Sequence, residues 1–349
     1  MPQTSSPLHA AIATLAKRQS LTEDETALVF GVVMRGEATH SQIAALLMGL
    51  RVKGEDPAEV AGAARAMREA MVQVDTGDDG LIDTCGTGGG IVGTFNISTA
   101  AALVAAGAGA RVAKHGNRSF TSRCGSADVL EALGVAVTLD AQGAARVLRE
   151  ACVTFLFAPN FHPAMKHVGP VRSELRIPSV MNMLGPLANP AGARRQVIGV
   201  ADPERAALMA QALARLGTEH AMIVHARVGM DEISPYGVTD VWEIRKGEVV
   251  RWEIDAERFD FHVTDVNALQ GGAPQENARR IEQLLDAKSA GSDPAGRAAV
   301  ALNAGAALYV AGLADSYEQG VRLAEEMLSR GAGWQALERL RRASPSTSG

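Results

Sequence analysis

A chain of 349 residues, 47% hydrophobic and 21% charged, can bury a large core, so we expect two folded domains. The formal net charge of −5 argues against a nucleic-acid partner, which normally requires a basic domain. No apolar run approaches the ~18 residues of a membrane span and no signal-peptide core follows Met1, so we expect a cytoplasmic protein with no membrane partner.

The first seventy or so residues predict helices. Thr22 with Glu25, and Thr39 with Gln42, have the spacing of capping boxes. Residues 56–59 place an N-cap Asp, an N1 Pro and an N3 Glu in order. Apolar residues with helical periodicity follow these three signals, at 27–34, 43–50 and 60–71. The pattern predicts a small helical domain at 1–75.

From about residue 80 the pattern changes to short apolar runs that alternate with helical stretches, which is typical of an α/β domain with a mainly parallel sheet. We expect this domain at 76–343. The last residues, 344–349, are small and polar and are expected to be disordered. Strands are predicted at 81–82, 111–113, 135–139, 197–200 and 221–225, and helices at 127–133, 203–216, 275–285 and 296–311.

Between Thr84 and Ala127 the chain contains no Asp or Glu, and it holds four Lys or Arg residues. Glycines cluster at 86–90, and the hydroxyl and amide side chains of 94–99 lead into the apolar run 100–106. Glycine lets the backbone approach a ligand closely, and a helix N-terminus offers free N–H groups to an anion. Asn96, Ser98 and Thr99 can cap that helix or donate to the same anion. We therefore expect a phosphorylated ligand here.

Two common glycine motifs fit this segment poorly. A Walker loop requires a lysine after its last glycine, but Gly93 is followed by Thr94. The spacing of Gly88, Gly90 and Gly93 satisfies the dinucleotide pattern, yet the acid expected about twenty residues later is absent and Lys114 occupies that region. A glycine loop that serves only as a turn is the remaining alternative.

Six motifs occur together in this chain: GTGG at 86–89, TFNIST at 94–99, KHGNRS at 114–119, GSADVLEALG at 125–134, LGPLANP at 184–190 and GMDEIS at 229–234. The combination resembles the anthranilate phosphoribosyltransferases of tryptophan biosynthesis. The resemblance implies a fold like that of nucleoside phosphorylases, with a helical segment at about 162–190 that completes the helical domain. It also implies a homodimer formed through that domain.

The implied reaction is transfer of phosphoribosyl from phosphoribosyl pyrophosphate to the amine of anthranilate, with release of pyrophosphate. It is the second step of tryptophan biosynthesis from chorismate and uses Mg²⁺, two ions per subunit. The resemblance assigns Ser98, Asp231 and Glu232 to the metal and Gly86, Asn117 and Arg172 to anthranilate. It assigns to phosphoribosyl pyrophosphate the residues Gly86, Gly89, Gly90, Thr94, Asn96, Ile97, Ser98, Thr99, Lys114, His115, Gly116, Asn117, Arg118, Ser119, Phe120, Thr121, Ser122 and Ser126.

The roles of the charged side chains follow from their chemistry. Lys114 and Arg118 suit phosphate groups, and the planar guanidinium of Arg172 suits an aromatic carboxylate. A salt bridge between Arg172 and Glu174 is the structural alternative. An arylamine is already neutral at pH 7 and needs no base, so His115 and His162 are expected to orient groups and no acid or base is assigned.

The chain departs from many members of the resembled family in two places. Gly90-Ile91 replaces an Asp-Gly pair, which removes one acid near the diphosphate, and residues 178–182 lack an Arg and a Phe near the acceptor. Two other functions stay open. A pyrimidine nucleoside phosphorylase is disfavoured by the GTGG and KHGNRS motifs, and a non-enzymatic nucleic-acid-binding paralogue is disfavoured by the acidic composition.

Overall fold

The computed structural model describes residues 6–77, 80–119, 123–289 and 291–344. The N-terminal part consists of four helices; the sequence predicted the last three of them, and the first was not predicted. All three expected capping boxes form, at Thr22, Thr39 and Asp56, and each satisfies the first free N–H groups of its helix. The helices are α1 (Pro7–Ala16), α2 (Glu23–Met34), α3 (His40–Lys53) and α4 (Pro57–Ala70).

The rest of the described chain forms a seven-stranded sheet in the order β3-β2-β1-β4-β5-β6-β7. The first five strands in that order are parallel, and β6 and β7 extend the sheet antiparallel. This confirms the mainly parallel sheet. The strands are β1 (Leu81–Gly86), β2 (Arg111–Gly116), β3 (Val153–Phe157), β4 (Arg195–Gly199), β5 (His220–Ala226), β6 (Val238–Arg245) and β7 (Glu248–Asp255).

Helices cover the sheet and bury it in a large apolar core. They are α5 (Ile97–Gly107), α6 (Ser126–Ala132), α7 (Ala141–Ala151), α8 (Ala158–Phe161), α9 (Gly169–Leu175), α10 (Met181–Leu187), α11 (Pro203–Arg215), α12 (Pro274–Leu285), α13 (Pro294–Ala311), α14 (Tyr317–Ser329) and α15 (Ala332–Ala343). None of the helices in the described part of the chain is long and apolar enough to span a membrane.

The segment that follows α8 returns to the N-terminal helices. Val171 of α9 and Leu184 of α10 belong to the same buried cluster as Leu46 of α3 and Val60 of α4. This cluster also extends into α11 and the adjoining strands. The contact is the one expected for the returning segment, while the division into domains at residue 75 stays a prediction.

Two predictions near the edge of the α/β part are wrong. Residues 135–139 do not form a strand of the sheet; the third parallel strand in chain order is β3. Val135 and Val137 of the apolar run are buried, whereas Thr138 is exposed. Ser344 is buried rather than disordered, because it exchanges hydrogen bonds with Ala136 through its backbone carbonyl and its hydroxyl, both at 2.9 Å. Residues 345–349 of the predicted disordered tail lie outside the described part of the chain.

The parallel strands place the sequence motifs at one edge. Gly86 at the end of β1 is paired with Gly199 at the end of β4, and β2 ends at Gly116 beside them. The loops that leave these carboxyl ends carry the glycine, basic and acidic motifs. Ligands of open α/β sheets bind at this edge.

Candidate active site

Two hydrogen bonds join the glycine loop after β1 to the acidic loop after β5. The N–H of Gly88 donates to Asp231 Oδ2 at 2.8 Å, and the N–H of Ile91 donates to the Gly229 carbonyl at 2.9 Å. Gly88 and Gly89 have φ values of +68° and +84°, a conformation that glycine adopts without strain. The two motifs are 143 residues apart in sequence and form one site.

Close approach of the acidic loop requires glycine at three positions. A Cβ on Gly86 would lie 2.9 Å from Asp231 Oδ2, and one on Gly90 would lie 3.2 Å from Asp231 Oδ1. A Cβ on Gly199 would overlap the Asp231 carbonyl oxygen. Sequence reasoning identified Gly86 and Gly90 but missed Gly199, which belongs to none of the motifs.

Glu232 occupies the N-terminus of α5. Its Oε1 accepts the Ser98 N–H at 3.1 Å, and its Oε2 accepts the Thr94 hydroxyl at 3.2 Å. Asn96 does not cap the helix with its side chain; its amide donates instead to the Cys124 carbonyl at 3.2 Å and accepts from Asn277 at 3.0 Å. Of the alternatives that the sequence left open, a side-chain cap from Asn96 does not form, because a distant carboxylate takes that place.

The side chains that follow Asn96 point inward. Ile97 is fully buried, so only its backbone can face a ligand. Ser98 Oγ accepts a hydrogen bond from Lys114 at 3.2 Å. The buried hydroxyl of Thr99 has no hydrogen-bond partner among the described residues.

Burial makes the acid pair electrostatically unfavourable. It raises the pKa of Glu232 to about 8, with repulsion from Asp231 as the second cause, and it raises the pKa of Asp231 as well. Lys114 is buried too, and its ammonium bonds the Thr84 carbonyl and Ser98 Oγ. Burial lowers the pKa of Lys114, whereas Asp83, Cys85 and Glu232 oppose that shift.

Two carboxylates and one hydroxyl suit a hard cation. The described residues contain no cluster of three or more His, Cys, Asp or Glu side chains that could hold a metal by themselves. Mg²⁺ does not need such a cluster, because it is commonly held by one or two carboxylates together with substrate phosphates and water. Asp231, Glu232 and Ser98 fit that kind of site.

In the folded chain, two acids lie next to the basic loop that follows β2. The Arg118 guanidinium bonds Asp128 at 2.9 Å and Glu131 at 2.7 Å, and both acids lie on α6, just past the acid-free stretch. These acids raise the pKa of Arg118. A phosphate could gain Arg118 only by exchanging with them.

Other residues of the basic loop are close together. Asn117 Oδ1 accepts the Arg118 N–H at 2.7 Å, and the Ser126 hydroxyl donates to the Asn117 carbonyl at 3.3 Å. A Cβ on Gly116 would overlap Ser126 Oγ. The Ser119 N–H donates to Asp128 at 3.3 Å. Phe120, Thr121 and Ser122 of the predicted donor site lie outside the described residues.

His115 and His162 form a buried pair with their Nε2 atoms 3.2 Å apart. Burial, together with the neighbouring imidazole, lowers the pKa of His115 to about 3, and burial lowers that of His162 to about 4. Both rings are therefore neutral near pH 7. The backbone N–H of His115 donates to Asp83 Oδ1 at 3.0 Å, and the Asn189 side chain donates to Oδ2 at 2.8 Å. Asp83 is therefore a buried support that the sequence did not reveal.

Arg172 lies on α9 and is half-buried. Burial lowers the pKa of its guanidinium. In the described part of the chain it makes no salt bridge, so the alternative of a pair with Glu174 is wrong. A partly desolvated cation without a counter-ion is available to an anion.

Comparison with known proteins agrees with this geometry. Residues 78–334 match the glycosyl transferase family a/b domain, and residues 9–71 match the helical bundle domain of that family. An anthranilate phosphoribosyltransferase of Rubrobacter xylanophilus is 48% identical over 342 residues, which cover 98% of this chain and 99% of the relative. This chain belongs to the anthranilate phosphoribosyltransferase family.

Solved structures of other anthranilate phosphoribosyltransferases have the same fold. The Thermus thermophilus protein is 43% identical with a TM-score of 0.89, and the match covers 95% of this chain and 98% of that one. The Saccharomyces cerevisiae protein in complex with phosphoribosyl pyrophosphate and Mg is 27% identical with a TM-score of 0.87. That match covers 97% of this chain and 98% of the yeast chain.

Proposed function

We propose that this chain transfers the phosphoribosyl group of phosphoribosyl pyrophosphate to the amine of anthranilate. The products are N-(5-phosphoribosyl)anthranilate and pyrophosphate, as in the second step of tryptophan biosynthesis from chorismate. One observation carries the proposal: Asp231 and Glu232 are held against the glycine loop and the N-terminus of α5. This is an arrangement for a diphosphate with its cation, at the ligand-binding edge of the sheet.

The proposed reaction is a displacement at C1 of the ribose. The C1–O bond to pyrophosphate breaks, the C1–N bond to anthranilate forms, and the amine loses one proton to solvent. Backbone N–H groups of the glycine loop would orient the diphosphate. Asp231, Glu232 and Ser98 would hold Mg²⁺, two ions per subunit. When bound, this cation neutralises the charge that develops on the leaving pyrophosphate.

General-base catalysis is not required of the buried histidines. The arylamine attacks as a neutral nucleophile, and both His115 and His162 are held neutral without a carboxylate to activate them. The contact between the two rings joins β2 to the segment that leads into α9. We infer that they fix the shape of the acceptor side, beside Asn117 and Arg172.

The test of this function is the loss of anthranilate fluorescence. Consumption that requires both phosphoribosyl pyrophosphate and Mg²⁺, with stoichiometric release of pyrophosphate, is the expected result. Phosphorolysis of uridine or thymidine by inorganic phosphate would instead favour a pyrimidine nucleoside phosphorylase. Retention of single-stranded nucleic acid with neither activity would favour the nucleic-acid-binding alternative.

Cation binding by the metal-free protein is expected to strengthen as the pH rises. Glu232, with a pKa of about 8, is protonated at pH 6 and must release that proton to the solvent when a cation binds. The apparent Kd for Mn²⁺, followed by electron paramagnetic resonance, should fall about tenfold from pH 6 to pH 7 and level off above pH 8. The raised pKa also makes the metal-free fold lose stability as pH rises from about 4.5 towards 8.

Glu232→Gln is the matched control for this pH dependence. The amide cannot titrate, so the remaining Mn²⁺ affinity should vary little over the same range. A wild-type Kd that is constant from pH 6 to pH 8 would contradict the assignment of Glu232.

Arg172→Ala is expected to raise the Michaelis constant for anthranilate about tenfold or more and to leave that for phosphoribosyl pyrophosphate nearly unchanged. A charge-assisted hydrogen bond to a carboxylate contributes about 1.5–3 kcal/mol. Arg172→Lys should recover only part of the loss, because an ammonium cannot make the planar two-point contact. Both constants are measured for the three proteins, and an equal impairment towards both substrates would count against a carboxylate contact.

We further propose a cytoplasmic homodimer that associates through the helical part of the chain. The N-terminal helices expose large apolar side chains, including Leu28 at 54% and Val52 at 66% exposure. Light scattering after size exclusion tests the oligomeric state, and Val52→Glu should weaken association if this face is covered in the dimer.

A further inference from the structure

Asn303 joins the acidic loop to α13 through three hydrogen bonds. Its Oδ1 accepts the Ile233 N–H at 3.0 Å, and its Nδ2 donates to the carbonyl oxygens of Ile233 at 2.8 Å and Ala299 at 2.9 Å. Asn303 is 5% exposed and Ile233 is fully buried. The amide orientation is fixed, because a flipped amide would place donor against donor and acceptor against acceptor.

The bonded N–H belongs to the peptide that directly follows Glu232. Holding this peptide plane sets the backbone direction from which the Glu232 side chain leaves. Asn303 also lines, with Ser98, Asp231 and Glu232, a small enclosed cavity beneath the acid pair. The amide is thus bonded to the loop that carries both proposed metal ligands, while it belongs to a helix that contributes none of them.

We propose that Asn303 is a positioning residue for Asp231 and Glu232 and thereby for the diphosphate–cation end of the donor. Two buried carboxylates that repel each other tend to move apart. The hydrogen bonds from Asn303 to the backbone of Ile233 oppose this movement without adding a charge. The carboxamide of Asn303 offers an acceptor to the N–H of Ile233 and a donor to the carbonyl of the same residue. The inference rests on the proposed transferase function, because it takes the acid pair as the cation site.

Asn303→Leu removes all three bonds with little change in volume, and Leu308→Ala is the matched control. Leu308 is fully buried in the same helix, so its truncation destabilises α13 while the three hydrogen bonds of Asn303 stay in place. For Asn303→Leu we expect the Michaelis constant for phosphoribosyl pyrophosphate and the Mg²⁺ concentration for half-maximal rate to rise about tenfold or more. The constant for anthranilate should change less than twofold, and the control should leave all three unchanged.

Two further measurements do not depend on turnover. Amide hydrogen exchange at Ile233 should accelerate at least tenfold in Asn303→Leu, relative to Ile223 in β5, and should not do so in Leu308→Ala. The Mn²⁺ affinity of the metal-free protein should also fall in Asn303→Leu. If the wild-type protein proves inactive as a transferase, the proposed function fails while these two measurements still report on Asn303.

Asn303→Asp keeps the variant series informative if the leucine variant does not fold. Its carboxylate repels the acid pair and lacks a donor, so it cannot bond the Ile233 and Ala299 carbonyl oxygens. Its donor kcat/KM should therefore fall at least as far as that of Asn303→Leu, and exchange at Ile233 should accelerate in the same way. An Asn303→Asp or Asn303→Leu variant that matches Leu308→Ala in donor constant and in Ile233 exchange would overturn the proposal.

Discussion

The double substitution of Asp231→Asn with Glu232→Gln is expected to lower kcat/KM for phosphoribosyl pyrophosphate by about a thousandfold or more. Cation stabilisation of a leaving group contributes several kcal/mol, and each 1.36 kcal/mol is a factor of ten. The amides keep the shape of the side chains but hold a divalent cation poorly. Steady-state kinetics with varied donor and varied Mg²⁺ measure the loss.

The same double variant should keep or gain thermal stability in the absence of metal. Burial disfavours ionisation of both acids, so neutral amides remove an unfavourable charge pair. The increase in Tm that Mg²⁺ with pyrophosphate gives to the wild type should disappear. Glu248→Gln, a change at an exposed acid of β7, is the control and should keep both the activity and this increase. Activity within tenfold of wild type would show that the pair does not hold the cation.

Gly199→Ala is expected to lower kcat about a hundredfold, although residue 199 carries no side chain. The new methyl group would overlap the Asp231 carbonyl oxygen and lie 3.3 Å from the Glu232 nitrogen, so the acidic loop must move. A shift of about 1 Å in a catalytic group costs about a hundredfold, and overpacking costs about 1–3 kcal/mol of stability. Kinetics and thermal unfolding measure the two effects.

Gly291→Ala provides the control for the loss of a glycine. No described atom lies within 4 Å of the added Cβ, so neither activity nor Tm should fall. An active Gly199→Ala enzyme would mean that the acidic loop can shift without effect, which would contradict the close fit of β4 against Asp231.

Local signals predicted the elements that local energetics decide. The capping boxes at Thr22, Thr39 and Asp56 formed because each couples groups only three residues apart. The run at 135–139 has the apolar pattern of a strand, yet it pairs with Ser344, more than two hundred residues away, and the sheet takes 153–157 instead. Burial alone does not distinguish a strand from an extended segment under a helix.

Within the site, too, local sequence signals did not reveal contacts between residues that are distant in the chain. The glycine and hydroxyl motifs predicted an anion site and allowed Asn96, Ser98 or Thr99 to cap α5. Glu232, 134 residues from Ser98 in the chain, caps the helix instead. Arg118 lies in a sequence segment without acids, but in the folded chain it forms ion pairs with two acids of α6. Asp83, Gly199 and Asn303 carry no signal of their own, because a single Asp, Gly or Asn has many ordinary uses.

The sequence by itself determined the classes of element, the mainly parallel sheet and the family, since these follow from periodicity, turn chemistry and motifs of adjacent residues. Only the tertiary structure decided which carboxylates face which loop. Parallel strands bring their carboxyl ends to one edge whatever their separation in the chain, so Gly86, Gly199 and Asp231 meet there. Burial at that edge raises the pKa of Glu232, and no count of charges along the chain contains that shift.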